Sequence, residues 1–259
     1  MDLGIAGRWA IVCASSQGLG LACARALSRE GVNVVINGRN EEKLTHAAAQ
    51  LRETASAQII TVVGDVTTDE GRTALLAATP TCSILVNNNA GPKPRHFSDM
   101  DHTAWLAALE ANMMPALLLT NGVLQGMKEQ RFGRIINITS AMVTTPWPHM
   151  ASSAAPRCAL TGAMKALSLE VAAFNVTVNN LLPERIDTER QEYMARETMQ
   201  RENISYEEAR ARQVKSIAAK RLGDPEEFGA TCAFLCSQYA GYMSGLNIHL
   251  DGGSYPGLV

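Results

Sequence analysis

Short apolar runs alternate with longer amphipathic stretches along the whole chain. Runs rich in Val, Ile and Leu at 8–14, 32–37, 58–63, 82–87, 133–139, 175–181 and 245–250 predict seven strands. Between them the apolar positions recur at helical spacing, which predicts helices over 18–30, 40–54, 68–78, 100–129, 152–173 and 224–237. Strands that read as nearly continuous apolar runs are buried on both faces, and this requires a parallel sheet covered by helices on each side. Strict β-α-β alternation through right-handed crossovers then gives a doubly wound α/β domain with a seven-stranded parallel sheet. No linker, repeat or low-complexity tract interrupts the pattern, so a single domain over 1–259 is expected.

One segment breaks the rhythm. Residues 187–222 are highly charged and helical in propensity, inserted between the sixth and seventh strands. Ser205 followed by Glu208 has the spacing of a capping box and predicts a second helix start there. The segment is either a solvated helical pair or a lid. Its place beyond the carboxyl end of a strand, where ligands bind in such sheets, favours the lid.

Composition narrows the class. With 46% apolar residues in 259, the chain can bury one large core. A formal net charge of −2 gives no reason to expect nucleic acid or a membrane surface as partner. No apolar stretch reaches the ~18 residues of a bilayer span, and the amino terminus runs directly into the first strand without a signal-like pattern. The six cysteines (Cys13, Cys23, Cys82, Cys158, Cys232, Cys236) are scattered, with no C-x-x-C pair. Cys232 and Cys236, four apart on a helix, read as buried small hydrophobes rather than a metal or disulfide pair. Reduced thiols fit a cytoplasmic protein.

The chemistry begins after the first strand, with Ala14-Ser15-Ser16-Gln17-Gly18-Leu19-Gly20 leading into a helix rich in small residues. Glycines between a strand and a helix let the backbone approach a pyrophosphate, which then sits on the open N–H groups at the helix start. Ser15, Ser16, Gln17, Gly18, Leu19 and Gly20 are therefore candidate cofactor-binding residues. At the end of the second strand an acid would hold the ribose 2′-hydroxyl of NAD, whereas an arginine suits the 2′-phosphate of NADP. The sequence there is Asn37-Gly38-Arg39-Asn40, so Arg39 favours NADP(H) over NAD(H).

Further motifs follow in order: Gly64-Asp65-Val66, Asn88-Asn89-Ala90-Gly91, Asn112, the IINITS run ending at Ser140, and Gly245 with Asp251-Gly252-Gly253. Together they resemble the short-chain dehydrogenase/reductase family over essentially the whole chain, and within it a divergent branch similar to 3-oxoacyl-carrier-protein reductases. The resemblance implies a Rossmann domain and a nicotinamide cofactor. It also implies that Asp65 and Val66 frame the adenine, that Asn89 lies beside the ribose, and that Thr188 contacts the nicotinamide carboxamide.

The chemical centre departs from the family pattern. The family works with Asn, Ser, Tyr and Lys, the last two as Tyr-x-x-x-Lys. No tyrosine lies between Ser140 and Tyr193, and the two positions fall on Ser153 and Arg157. A phenol of pKa about 10 is brought into a useful range by a neighbouring cation, but a serine hydroxyl is a much weaker acid. Ser140, Ser153 and Arg157 can still bind a carbonyl oxygen and stabilise a developing alkoxide. The pair resembles a branch in which Ser-x-x-x-Arg stands at these positions, keeping a hydroxyl and a cation at the same spacing. Cys13-Ala14 replaces Thr-Gly at the phosphate turn, and Pro183-Glu184 replaces Pro-Gly after the sixth strand.

Two side chains are candidate substitutes for the missing proton donor. Glu184 becomes an acid if burial raises its pKa, and His149 titrates near neutrality unaided; a surface Glu184–Arg185 pair and an exposed loop histidine are the plainer alternatives. The loop Pro92-Lys93-Pro94-Arg95-His96 offers basic groups to an anionic substrate, or is simply solvated, and Trp147 offers an apolar wall. The helices at 100–129 and 152–173 carry apolar and small faces, and the resemblance implies a homodimer or homotetramer. Three functions stay open: an atypical NADP(H)-dependent reductase or dehydrogenase acting on a small carbonyl or acyl-thioester substrate; a non-redox lyase, aldolase or isomerase on the same pocket; and a nucleotide-binding partner subunit without catalysis.

Overall fold

The structure is a computed structural model and describes residues 1–258. Its elements run β1 (Trp9–Val12), α1 (Gly18–Arg29), β2 (Asn33–Gly38), α2 (Glu41–Thr54), β3 (Ile59–Val63), α3 (Asp69–Ala77), β4 (Ile84–Asn87), α4 (His102–Asn112) and α5 (Met114–Gln130). They continue with β5 (Gly133–Ile138), α6 (Ala151–Val171), β6 (Val176–Pro183), α7 (Glu189–Glu202), α8 (Tyr206–Val214), α9 (Pro225–Cys236) and β7 (Asn247–Leu250). The strands form one parallel sheet in the order β3-β2-β1-β4-β5-β6-β7. The order reverses direction between β1 and β4, and in open α/β sheets ligands bind at the carboxyl ends of the strands at such a point.

Alternate residues along each strand feed two cores. Ala10, Val12, Val34, Ile36, Ile84, Val86 and Ile136 pack with Leu27 of α1, Leu44 and Leu51 of α2 and Phe228 of α9. Their neighbours Ile11, Val35, Leu85 and Ile135 face the other way, onto Leu75 of α3, Leu119 and Val123 of α5 and Leu160 of α6. This is the two-sided burial that the near-continuous apolar strands require. Cys232 and Cys236 are free thiols buried in the first of these cores.

Two expectations need correction. The stretch 100–129 is not one helix: Met113, at φ −126° and ψ −56°, ends α4, and α5 starts with Pro115 in its first turn. Proline has no N–H for the helical ladder but suits a helix start, so the break is written in the sequence. The expected capping box at Ser205 is half formed. Ser205 Oγ accepts from the Glu208 amide at 3.1 Å, but the Glu208 carboxylate is turned to Arg212 at 2.7 Å. The reciprocal box forms instead at the start of α9, between Asp224 and Glu227.

A chain of asparagines crosses the sheet. In the strand register Asn87 lies beside Asn137, Asn137 beside Asn180 and Asn180 beside Asn247. Asn87 Nδ2 donates to Asn137 Oδ1 at 2.9 Å, Asn137 to Asn180 at 2.9 Å, and Asn180 to Asn247 at 2.8 Å. The first three are buried and Asn247 is exposed on the edge strand. Mutual pairing satisfies most of the amide groups, which would otherwise be costly inside a sheet, and leaves Asn87 Oδ1 without a protein partner among the described residues.

Candidate active site

A cleft of about 1160 Å³ opens along the carboxyl ends of the strands. One end is bounded by Ser16, Gln17, Arg39, Lys43, Asp65 and Val66, and the other by Ser140, Ser153, Arg157 and Glu184. The sequence-predicted residues thus fall on one continuous surface, apart from Gly20, which is buried, and those noted below.

At the first end the phosphate turn is shaped by backbone contact. A Cβ on Gly20 would run into the Ala14 carbonyl, and one on Gly38 would lie 3.0 Å from Ser16 Oγ. Gln17 precedes α1 with extended backbone and no side-chain cap bond, and the first turn holds no acidic residue, so its open N–H groups are free for an anion. Ala14 has φ +45°, in the left-handed region where a methyl-bearing residue is strained. Ser15 does not reach the cleft. It is fully buried; its hydroxyl donates to the Val12 carbonyl at 2.6 Å and accepts from the Asn37 amide at 2.9 Å, so it fixes the turn from behind.

Arg39 lies largely exposed, 3.6 Å from Asp65. Burial pushes the Asp65 carboxyl up, but hydrogen bonds from Thr67 and the Arg39 charge outweigh it and hold the group below its ordinary value. Lys43, which the sequence reading passed over, projects from the first turn of α2 to Gln17 Oε1 at 3.0 Å. Its signal was its place four residues after Arg39, one turn into a helix whose start abuts the ribose end. The donors fit a dinucleotide: open amides for a pyrophosphate, and two cations with a serine hydroxyl for a further phosphate.

The second end centres on α6. Arg157 is only 8% exposed. Its Nη1 donates to the carbonyls of Ile138 and Thr139 at 3.0 and 2.9 Å, and its Nη2 to Asn112 Oδ1 at 3.2 Å. Burial, helped by the charge of Arg190, pulls the guanidinium down to about 10, so it remains a cation at neutral pH. Among the described residues no carboxylate lies within ion-pair distance of it. Asn112 therefore reaches the site through Arg157 rather than facing the main cleft.

Ser153 is buried on the cleft wall four residues before Arg157, on the same face of α6. Ser140 Oγ accepts from the Met142 amide at 3.2 Å, which leaves its own proton for a ligand. Glu184 is 14% exposed, with Arg185 Nε at 3.6 Å. Burial raises its pKa, opposed by Arg185, reinforced by Asp251 and opposed again by His249. The direction and its leading cause, burial, are those expected of this carboxyl.

His149 is not brought to the cleft. It is exposed, at φ +65°, and packs edge-on against His96 with ring centroids 4.2 Å apart. Pro92 and Pro94 border the cleft but the basic side chains between and beyond them are exposed. Asn89 borders it too, although its amide donates to the Ala111 carbonyl at 2.7 Å, while Asn88 holds the Ala14 carbonyl at 3.3 Å. Trp147 forms part of the wall, with the Arg185 guanidinium 5.1 Å from its ring.

Residues of α7 and α8, from Thr188 to Gln213, border the cleft. Thr188 begins α7 and, with Glu189, stands over Gly18, within 4.0 Å of where its Cβ would be. Arg190 Nη2 reaches across to the Pro92 carbonyl at 3.3 Å. Gln213 of α8 holds Gln191 of α7 at 2.9 Å, and its carbonyl accepts from Arg185.

A glycine-shaped turn, a cation-lined end and a polar terminus lie along the carboxyl ends of one parallel sheet, the arrangement of an α/β nucleotide-binding fold. The family model described as Enoyl-(Acyl carrier protein) reductase matches residues 13–255. The chain belongs to the short-chain dehydrogenase/reductase family. It is 33% identical over 258 residues to the Bacillus subtilis (strain 168) protein named "Uncharacterized oxidoreductase YvaG", covering 98% of each. It is 31% identical to "NADPH-dependent reductase BacG" of the same organism, over 95% of this chain and 97% of that one. Its fold superposes with a TM-score of 0.95 on L-sorbose reductase from Gluconobacter frateurii, solved with NADPH and L-sorbose, at 29% identity over 100% of both chains. Among the described residues no helix is long and apolar enough to cross a membrane, and no cluster of His, Cys, Asp or Glu could hold a metal ion.

Proposed function

We propose that this chain is an NADP(H)-dependent oxidoreductase that interconverts a carbonyl and an alcohol on a small-molecule substrate, a ketone or an acyl thioester, without a catalytic tyrosine. One observation carries the reading: a single cleft joins Arg39, Lys43 and the phosphate turn to Ser140, Ser153, Arg157 and Glu184. Asp65 and Val66 would hold the adenine of a dinucleotide in this cleft, and the four side chains at the far end would border its nicotinamide. The NADPH named for BacG and for L-sorbose reductase supports the choice of cofactor.

The cofactor, when bound, supplies the hydride taken up by the carbonyl carbon. Ser140 and Ser153 donate hydrogen bonds to the carbonyl oxygen. Arg157 supplies positive charge toward the developing alkoxide from a dry position, where electrostatic stabilisation is strongest. Glu184, protonated more readily than an exposed carboxyl, gives the alkoxide its proton and recovers one from solvent. The lid of α7 and α8 excludes water while this happens.

Exposed apolar side chains on α4, α5 and α6, including Leu106, Leu118 and Leu169 (49%, 41% and 74% exposed), support assembly as a homodimer or homotetramer. Sedimentation of the purified chain tests it; a monomer at micromolar concentration overturns it.

The reaction is tested by calorimetric titration with NADPH and NADH, followed by absorbance of the reduced nicotinamide over a panel of ketones and 3-oxoacyl thioesters. Tight NADPH binding with substrate-dependent, stoichiometric loss of the band is expected. Binding without turnover overturns the redox reading, and product formed without cofactor consumption replaces it with lyase, aldolase or isomerase chemistry.

A further inference from the structure

Behind Arg157 lies a separate, partly open recess of about 20 Å³, where Asn87, Asn88, Asn89, Asn112 and Arg157 meet apolar neighbours such as Leu119 and Leu160. Two of its bordering residues carry buried polar atoms without a protein partner among the described residues: Asn87 Oδ1 and Arg157 Nε. One is an acceptor and the other a donor. A void of this size holds one water, and a water needs two to four polar partners. The two atoms supply complementary ones.

The Asn87 oxygen is not an isolated amide. It is the free end of the chain of four asparagines, in which the Nδ2 groups of Asn87, Asn137 and Asn180 each donate toward the sheet edge, the last to Asn247. Asn87 Nδ2 is also within 3.2 Å of Thr120 Oγ1, so both of its N–H groups have acceptors and Oδ1 is the end left without a partner. Amides aligned head to tail polarise one another. All four dipoles therefore set their negative end at Asn87 Oδ1, on the side of a buried cation that has no carboxylate partner.

We propose that Asn87 is a positioning residue for Arg157, acting through one water held between Asn87 Oδ1 and Arg157 Nε. The inference rests on Arg157 as the cation of the proposed site, but its geometry does not depend on the reaction. Two of the guanidinium nitrogens are held by neutral oxygens on the strand and on α4. The third is held through the water by the negative end of the asparagine chain, so the planar fork cannot rotate about its own axis and lose its bond to Asn112.

The test is nitrogen-detected NMR of the arginine side chains in the whole protein, with the Arg157 Nε–H resonance assigned by its loss in Arg157→Lys. In the unmodified chain this proton is expected to exchange slowly with solvent. Asn87→Leu, close in volume but without an acceptor, is expected to speed that exchange at least tenfold. It is also expected to weaken NADPH binding about tenfold, the loss of one hydrogen bond to a charged group. Asn87→Asp keeps the acceptor and is expected to retain slow exchange. Unchanged exchange in a cooperatively folded Asn87→Leu overturns the proposal. Should Asn87→Leu fail to fold, a crystal structure of the unmodified chain decides: density within hydrogen-bonding distance of both atoms is expected, and a dry void overturns it. Absence of ketone turnover with these NMR results intact would overturn the reductase reading and leave the positioning role standing.

Discussion

Arg157 Nη2 donates to Asn112 Oδ1 across 3.2 Å, so the cation of α6 is tied to the last residue of α4. The same guanidinium serves the Ile138 and Thr139 carbonyls. Arg157→Met should therefore leave several buried acceptors without donors, each costing roughly 1–3 kcal/mol, and lower stability by about 3 kcal/mol in total. Urea unfolding measures it. Arg157→Lys keeps the charge but not the fork, and should fall between the two in stability and in NADPH affinity. Equal stability of Arg157→Met and the unmodified chain would mean that these contacts contribute nothing net.

Arg39 and Lys43 face the ribose end from a strand terminus and a helix start. Arg39→Asp should weaken NADPH binding by about 10- to 100-fold, the value of a hydrogen bond between charged groups, and change NADH binding far less. Lys43→Gln should act in the same direction with a smaller effect. Calorimetry with both nucleotides checks the ratio. An equal loss for NADPH and NADH would remove the 2′-phosphate argument.

How much of this was legible beforehand depends on the range over which each feature is encoded. The seven strands and their faces were legible, because Val, Ile and Leu report burial within a few neighbours. So were the phosphate turn and the Ser153–Arg157 pair, which are local motifs. The break at Met113 was legible too, through Pro115, and was overlooked in favour of the continuous apolar pattern. The role of Ser15 was not legible: whether a turn hydroxyl faces ligand or backbone depends on its contacts with Val12 and Asn37. The asparagine chain is invisible to any periodicity, since strand register alone brings Asn87, Asn137, Asn180 and Asn247 together. His149 failed for the same reason in reverse, because nearness to Ser153 in sequence did not turn its ring toward the cleft.

Glu184 sets stability against function. Burial raises its pKa on folding, ahead of the opposing Arg185 charge, so the native state favours the protonated form. Its stabilising contribution is complete below the ordinary carboxylate range and is lost as pH rises through the raised native value. Glu184→Gln should therefore be more stable than the unmodified chain at pH 8 and no more stable near pH 4. The same substitution should lower kcat for ketone reduction by about 10²-fold or more, as loss of a positioned acid does. Thermal unfolding across pH and steady-state kinetics check both halves. A kcat unchanged by Glu184→Gln would assign the proton to water.

Ala14 holds a left-handed conformation at φ +45° beside the phosphate turn. Such a conformation costs an L-residue with a Cβ roughly 1–2 kcal/mol, while glycine there adds about 0.4–1 kcal/mol of unfolded-state entropy. Ala14→Gly should thus raise stability by about 0.5 kcal/mol, a small upward shift in Tm. Gly20→Ala should do the opposite, because its new methyl meets the Ala14 carbonyl. A stabilised Gly20→Ala would mean that the turn yields easily and that its close packing is not required.

Ser153 and Arg157 occupy successive turns of α6, with the serine on the cleft wall and the arginine behind it. Ser153→Tyr combined with Arg157→Lys places a phenol and an ammonium at that spacing. The phenol has somewhere to go, since the wall opens onto a cleft of about 1160 Å³. A lysine ammonium beside it favours the phenolate and brings its pKa down toward the working range. A positioned acid contributes roughly 10²–10⁴ to a rate, so ketone reduction by the double variant should rise at least tenfold, with its pH optimum displaced from that of the unmodified chain. Each single variant should gain less than the pair, because the phenol without the ammonium stays a weak acid and the ammonium without the phenol has no acid to tune. If the double variant binds NADPH normally and its rate and pH profile are unchanged, the proton does not pass through this pair of positions.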